Sequence, residues 1–374
     1  MDIRTLPTPQ VLIDVDRLRR NIESLQDAAR RAGVGLRPHA KTHKIPALAL
    51  QQIEAGASGI CCAKLGEAEV FADAGLEDIR LPYPISPFNR ARVAGLMDRA
   101  RISLIVDHPD VAEAWSTHMA SLGRRLQVLV KVDVGYHRCG VDPTDPAALA
   151  LIEAIDRWPG LELRGLLSHA GHAYGARSQD EIERIVEEEA TLLGGLVAAA
   201  RARGIELPET SVGSTPSAKA SLARGGFTEL RVGNYVYLDR TQVELGVAQA
   251  SDCALTVMAT VVSRPASDRL VLDCGSKTLS SDTCRGFRPP PGHGAIFGDL
   301  ERTDALDEDM TIVRLSEEHA VVSTPRESSL KPGDRVRVLP NHACVVSNLV
   351  NEVHLVQGSE VVETLPVAAR GRLQ

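Results

Sequence analysis

Between residues 10 and 240 the chain repeats one unit, a short apolar run followed by a stretch whose apolar residues recur at helical spacing. The runs lie at 11–15, 35–40, 59–63, 79–84, 102–107, 126–134, 163–169, 209–214 and 229–237. In 16–32, Leu18, Ile22, Leu25 and Ala29 share a helical face, and 47–56, 63–75 and 179–203 follow the same rule, with glycines closing several of them. Such alternation without long interruptions specifies a parallel sheet covered by helices. Eight or nine units suit an α/β fold with an N-terminal (β/α)8 TIM-type barrel, whose usual size is roughly 250 residues. The expected barrel spans residues 8–245; an open doubly wound sheet is the alternative.

After residue 250 the rhythm changes. Runs at 255–263, 269–272, 310–315, 320–324, 334–339 and 352–356 are short and rich in β-branched residues, with turns such as Lys331-Pro-Gly-Asp334 between them. That pattern predicts a C-terminal, mostly-β domain over 250–374, joined by residues 1–7. The segment 279–309, rich in Gly, Pro and Asp, reads as a long excursion suited to a lid or an interface.

Several function classes are excluded at this level. A net charge of −7 and the lack of a basic stripe argue against nucleic-acid binding. No apolar run reaches the roughly 18 residues that a membrane-spanning helix needs. Met1-Asp-Ile-Arg-Thr-Leu-Pro-Thr-Pro9 has no apolar signal core, so a cytoplasmic location is expected. Seven cysteines without a disulfide-framework spacing read as thiols, and Cys61-Cys62, inside an apolar run, as core residues.

In a parallel barrel, functional groups gather at the C-terminal ends of the strands. Lys41 stands at such an end, in Arg37-Pro-His-Ala-Lys41-Thr-His-Lys44. Arg138 follows the strand that ends in Lys131-Val-Asp-Val, and His169 closes another. Gly213-Ser214-Thr215 and Arg231-Val-Gly233-Asn234-Tyr235 follow the next two. Glycine with small hydroxyl residues exposes N–H and O–H donors, which suits a phosphate. An amine, a phosphate-type turn, two arginines and a histidine on one rim point to a shared site. Further on, Pro340-Asn-His342-Ala-Cys344 reads as strand, where i and i+2 point to one face. Imidazole and thiolate there suit a shared zinc, or else a buried pair on a core-facing strand.

These motifs, in this order, make the chain resemble the pyridoxal-phosphate (PLP) enzymes of alanine racemase fold, and within them the D-serine dehydratase and D-threonine aldolase group. The resemblance covers nearly the whole chain. It implies Lys41 as the Schiff-base lysine, Arg138 at the cofactor's phenolic oxygen and His169 on its ring face. It implies Gly213, Ser214, Thr215, Gly233, Asn234 and Tyr235 as the phosphate cup. Arg231 would face the pyridine nitrogen and keep it unprotonated, a weaker electron sink than a protonated ring. His342 and Cys344 become ligands of a divalent metal, Zn²⁺ first, with Mn²⁺ or Mg²⁺ as alternatives. The aldolases of this group tend to show His-x-Asp and a base histidine shortly after the ring histidine. Here the pair is His-x-Cys, and Tyr174 stands at the base position as in the dehydratases, with His172 as a possible substitute.

The resemblance therefore implies a lyase acting on a small D-3-hydroxy amino acid, by β-elimination to a 2-oxo acid and ammonia. Aldol cleavage to glycine and an aldehyde is the alternative, and a homodimer is the implied assembly. A racemase or a non-catalytic PLP-homeostasis protein are remoter readings. Racemases of this fold take a second base, a tyrosine, from the β domain, and no tyrosine follows Tyr237 here. Asp273-Cys-Gly-Ser-Lys277 and Glu317-Glu-His319 also resemble the family's second domain, although ordinary turns explain them nearly as well.

Overall fold

The computed structural model describes residues 1–324 and 328–374. The expected barrel is formed by β2 (Gly35–Leu36), β3 (Ile60–Cys61), β4 (Asp78–Pro84), β5 (Arg101–Val106), β6 (Leu126–Lys131), β7 (Leu161–Leu167), β8 (Glu209–Val212) and β9 (Glu229–Leu230), after β1 (Gln10–Asp14). These eight are parallel, in the order β2-β9-β8-β7-β6-β5-β4-β3. The two ends of that order meet through the parallel bridge His39–Cys61, with the Cys61 N–H donating to Pro38 O at 2.7 Å, which closes the ring. Consecutive buried residues such as Val128, Leu129 and Val130 on β6 reflect strands covered on both faces. Cys61 and Cys62 are fully buried, as core thiols should be.

One charged network crosses these strands. Glu229 on β9 accepts from Arg37 Nε at 2.7 Å and from Arg80 Nη1 at 2.5 Å, and Arg37 also pairs with Asp78 at 2.6 Å. Burial pushes the Glu229 carboxyl up, but Arg80 and then Arg37 outweigh it and hold the pKa below the usual carboxylate range. Its contribution to stability is therefore present above the ordinary carboxylate pKa and is lost as the pH falls through the folded value. Glu229→Leu leaves two buried guanidiniums short of a partner. It should cost roughly 3–5 kcal/mol, the usual penalty for breaking a buried pair, read as a fall in Tm or in the denaturant midpoint.

The second sheet contains β10 (Leu255–Ala266), β11 (Arg269–Leu272), β12 (Ala295–Phe297), β13 (Thr311–Leu315), β14 (Ala320–Ser323), β15 (Arg335–Leu339), β16 (Glu352–Gln357) and β17 (Glu360–Pro366). Its main path is β13-β14-β11-β10-β1-β16-β17, with β15 pairing β10 and β12. Two sequence expectations are corrected here. The run at 11–15 is not a barrel strand: β1 lies between β10, antiparallel, and β16, parallel, so the barrel's first strand is at Gly35 and not near residue 10. Val11, Leu12 and Ile13 are all buried, which a central strand of this sheet allows. The strand expected at His342–Cys344 is a helix N-terminus instead. β15 ends at Leu339, Pro340 follows, and His342 is the N-cap of the helix Ala343–Leu349. Among the described residues no helix is long and apolar enough to cross a membrane.

Candidate active site

A cavity of about 1030 Å³ opens at the C-terminal ends of the barrel strands and is walled on its other side by residues 281–285 and by the His342–Asn348 segment. Lys41 reaches it from the 3-10 turn Ala40–Thr42, whose N-cap His39 accepts the Lys41 N–H at 3.4 Å. The side chain is accessible because it opens into the cavity and not into packed core. Desolvation lowers the pKa of its amine; Arg138 and Arg231 add to that, against Cys344 and Glu67. Such an amine is more readily neutral than an ordinary lysine, so more of it is available as a nucleophile or proton acceptor near neutral pH.

His169 follows β7, and its Nδ1 donates to the Gly213 carbonyl at 3.1 Å. Desolvation first, then Lys41, hold the ring well below its usual pKa, so it is neutral. Its ring meets that of Tyr136 edge-on at 5.7 Å, and the Arg138 guanidinium lies 5.2 Å from the Tyr136 ring centroid. Arg231 is buried and pinned: Nε donates to Ser211 Oγ at 2.7 Å and Nη2 donates to the Ser168 carbonyl.

The phosphate-type turn forms a real cradle. Gly213 sits at φ +124°, where a Cβ would come within 2.8 Å of Leu230 Cδ1. At Gly233 a Cβ would lie 2.7 Å from Thr42 Oγ1 and 3.1 Å from the His39 carbonyl. Gly213, Ser214, Thr215 and Gly233 all line the cavity, with Lys41 in the same wall. Backbone held open by two glycines beside hydroxyl donors, within one cavity of an accessible low-pKa amine, fits a phosphate-bearing aldehyde.

Three expected residues are placed differently. The Tyr235 ring does not line this cavity: its hydroxyl accepts from Gln52 Nε2 at 2.9 Å, and Gln52 Oε1 meets His43 Nε2 at 3.3 Å. Only its backbone N–H reaches the cradle, donating to Thr215 Oγ1 at 3.2 Å. The Asn234 side chain turns from the cradle; Nδ2 donates to Asp239 Oδ2 at 2.6 Å and to Cys344 Sγ at 3.4 Å. His172 leaves the site altogether. In the 3-10 turn Gly171–Gly175, residues i and i+3 eclipse, so Gly171 and Tyr174 face the cavity while His172 packs beside Gly135.

The Tyr174 side chain faces the cavity near Thr215, Gln242, Asp239 and Cys344. Desolvation raises its pKa, further helped by Cys344 and Asp239, and keeps it protonated at neutral pH. His342 and Cys344 do come together, through the helix start and not through a pleat. His342 Nδ1 meets Asp282 Oδ2 at 2.6 Å, and the neighbouring Cys344 favours the protonated imidazole. Cys344 Sγ and Thr42 Oγ1 are hydrogen-bonded at 3.3 Å, so the residue after Lys41 touches the thiol from the other end of the chain. Burial opposes ionisation of the thiol, but the neighbouring His342 prevails and lowers its pKa. A basic imidazole and an acidified sulfur on one wall, with a carboxylate on the imidazole Nδ1, are a donor set suited to a borderline-soft cation. Among the described residues no group of three or more His, Cys, Asp or Glu is arranged to hold a metal ion.

Sequence reasoning missed Thr42, Asp239, Asp282 and Lys131, all in the cavity wall. Lys131 ends β6 and donates from Nζ to the Val132 carbonyl at 3.0 Å; burial, then Arg231, push its amine down to about 8. Its position at a barrel strand end was the available signal.

Residues 13–241 match the family described as "Alanine racemase, N-terminal domain", and residues 254–356 the "Putative serine dehydratase domain". The chain is 33% identical to a D-threonine aldolase of Arthrobacter sp over 97% of its own length and 93% of the relative's. It is 34% identical to the D-threo-3-hydroxyaspartate dehydratase of Delftia sp. (strain HT23), over 91% of each. The solved structure of that dehydratase superposes with a TM-score of 0.91 at 31% identity, covering 98% of both chains. The D-threonine aldolase from Filomicrobium marinum superposes at 0.88 with 30% identity, covering 98% of this chain and 97% of that one.

Proposed function

The chain belongs to the alanine racemase-fold family that joins these two domains, and from that premise we propose a PLP- and metal-dependent lyase that eliminates water from D-3-hydroxy amino acids. The products would be a 2-oxo acid and ammonia. Zinc is the proposed cation, since sulfur and imidazole donors favour it over the oxygen-seeking Mn²⁺ and Mg²⁺. A D-threo-3-hydroxyaspartate dehydratase has been solved as a histidine-to-alanine variant and as a cysteine-to-alanine variant in a metal-free form. The two substituted positions are two apart, the spacing of His342 and Cys344. That supports the ligand assignment. A homodimer, implied by the resemblance, is part of the same reading.

Lys41 would hold the cofactor's aldehyde carbon, the cradle of Gly213, Ser214, Thr215 and Gly233 its phosphate, and His169 and Arg138 its ring. Once bound there, PLP supplies an electron sink for the substrate's Cα. A cation on His342 and Cys344 would supply Lewis-acid stabilisation of charge on the β-oxygen. The protein's own part begins with Lys41 Nζ, whose lowered pKa equips it to take the Cα proton at neutral pH.

The choice of elimination over aldol cleavage rests on one observation. Aldol cleavage needs a group that accepts the hydroxyl proton, whereas elimination needs a departing oxygen to be neutralised. At the position where the aldolases of this group carry a base histidine, the wall here presents Tyr174 as a protonated phenol, a donor, while His172 is turned away. Purified protein given PLP, Zn²⁺ and separately D-serine, D-threonine or D-threo-3-hydroxyaspartate should release pyruvate, 2-oxobutyrate or oxaloacetate. Glycine as the main product would replace elimination by aldol cleavage.

A further inference from the structure

Asn234 was expected at the phosphate, and the structure gives its side chain a different task. Nδ2 reaches Cys344 Sγ at 3.4 Å and Asp239 Oδ2 at 2.6 Å. The same Asp239 oxygen accepts the backbone N–H of Ala343, the residue between His342 and Cys344, at 2.9 Å. Asp239 is itself fixed, since its other oxygen caps the helix Arg240–Glu244 by accepting the Gln242 N–H at 3.1 Å. Both side chains are almost wholly buried. We propose that the side chains of Asn234 and Asp239 position the His342–Cys344 pair and that neither side chain holds the phosphate. Asp239 sets the backbone turn that brings imidazole and sulfur together. Asn234 aims an N–H at the sulfur, which fixes its orientation and draws off part of its negative charge. Outer partners of this kind orient ligands and tune the bound ion.

The inference rests on the reading of His342 and Cys344 as a cation site, so the test separates the two. Zinc affinity is measured by competition with a coloured chelator for the wild type, Asn234→Ala, Asp239→Asn and Cys344→Ala. PLP affinity is measured on the same proteins and on Thr215→Ala. Asn234→Ala should bind zinc about 10–100-fold more weakly, the usual loss for an outer-shell partner, and PLP as the wild type does. Asp239→Asn, which keeps an acceptor for the helix cap, should weaken zinc binding in the same direction. With Co²⁺ in place of zinc, the sulfur-to-cobalt absorption should shift in Asn234→Ala, a change that loss of packing elsewhere does not produce. Thr215→Ala should show the opposite pattern, weaker PLP and unchanged zinc. Zinc affinity retained in Asn234→Ala but lost in Cys344→Ala overturns the positioning role alone. Zinc affinity retained in both overturns the cation site with it. Weakened PLP with unchanged zinc in Asn234→Ala returns that residue to the phosphate. Asn234 caps no helix, so its variant decides the matter even where Asp239→Asn does not fold.

Discussion

Lys41→Ala should reduce turnover by about 10³-fold or more, because one substitution removes both the attachment point of the cofactor and the proposed Cα base. The visible absorbance that PLP gains on covalent attachment should disappear from the purified variant. The side chain projects into the cavity from a short turn and packs against little, so the fold should survive, with an unchanged Tm. Small primary amines added to the solution should restore part of the activity, which would separate loss of a base from loss of structure. The pH profile of the wild type carries a second check. The amine must be neutral to act, and its pKa lies below the ordinary lysine value, so the acidic limb of the profile should fall below that of an exposed lysine. Full turnover by Lys41→Ala would end the assignment.

Cys344→Ala should have the next largest effect. The pair has two protein ligands, and loss of the sulfur leaves one imidazole, too little to retain a cation at micromolar supply. Metal content after dialysis should drop to background and turnover by roughly 10²–10³-fold, in line with the several kcal/mol a Lewis acid contributes. PLP should stay bound with its absorbance intact, since Lys41 and the glycine cradle are unaltered. Unchanged metal content would remove the thiol from the ligand set. Loss of PLP together with the metal would show instead that the contact between Cys344 and Thr42 supports the neighbouring lysine.

Much of this architecture was legible in the residues. The barrel strands announced themselves because buried parallel strands are continuously apolar and each is followed by helical periodicity. Lys41, His169, Gly213 and Arg231 were findable for the same reason: strand ends are where such a barrel exposes chemistry. Failures cluster where local pattern and tertiary partner disagree. Ala343–Leu349 carries Cys344, Val345 and Val346, and its β-branched residues read as strand. Its buried residues Ala343, Val346 and Ser347 nonetheless follow the helical spacing of three and four. His172 and Tyr174 look equivalent in a sequence, and only the threefold repeat of a 3-10 turn separates them. β12 is three residues inside a Gly- and Pro-rich excursion, and β17 alternates poorly, with a single buried residue, so neither gives a periodic signal. Asp239 and Asp282 join the site through partners about 60 or more positions away, at Ala343 and His342.

The placement of β1 has a consequence for how the chain is made. Its register partners are residues 255–258 on one side and 354–356 on the other. During synthesis, Val11-Leu-Ile13 leaves the ribosome long before either neighbour exists, while β3 to β9 each pair with a barrel strand adjacent in sequence and only β2 waits for β9. The nascent barrel must therefore carry an unsatisfied, sticky ribbon at its front until the last hairpin arrives, the situation in which a growing chain depends on chaperones.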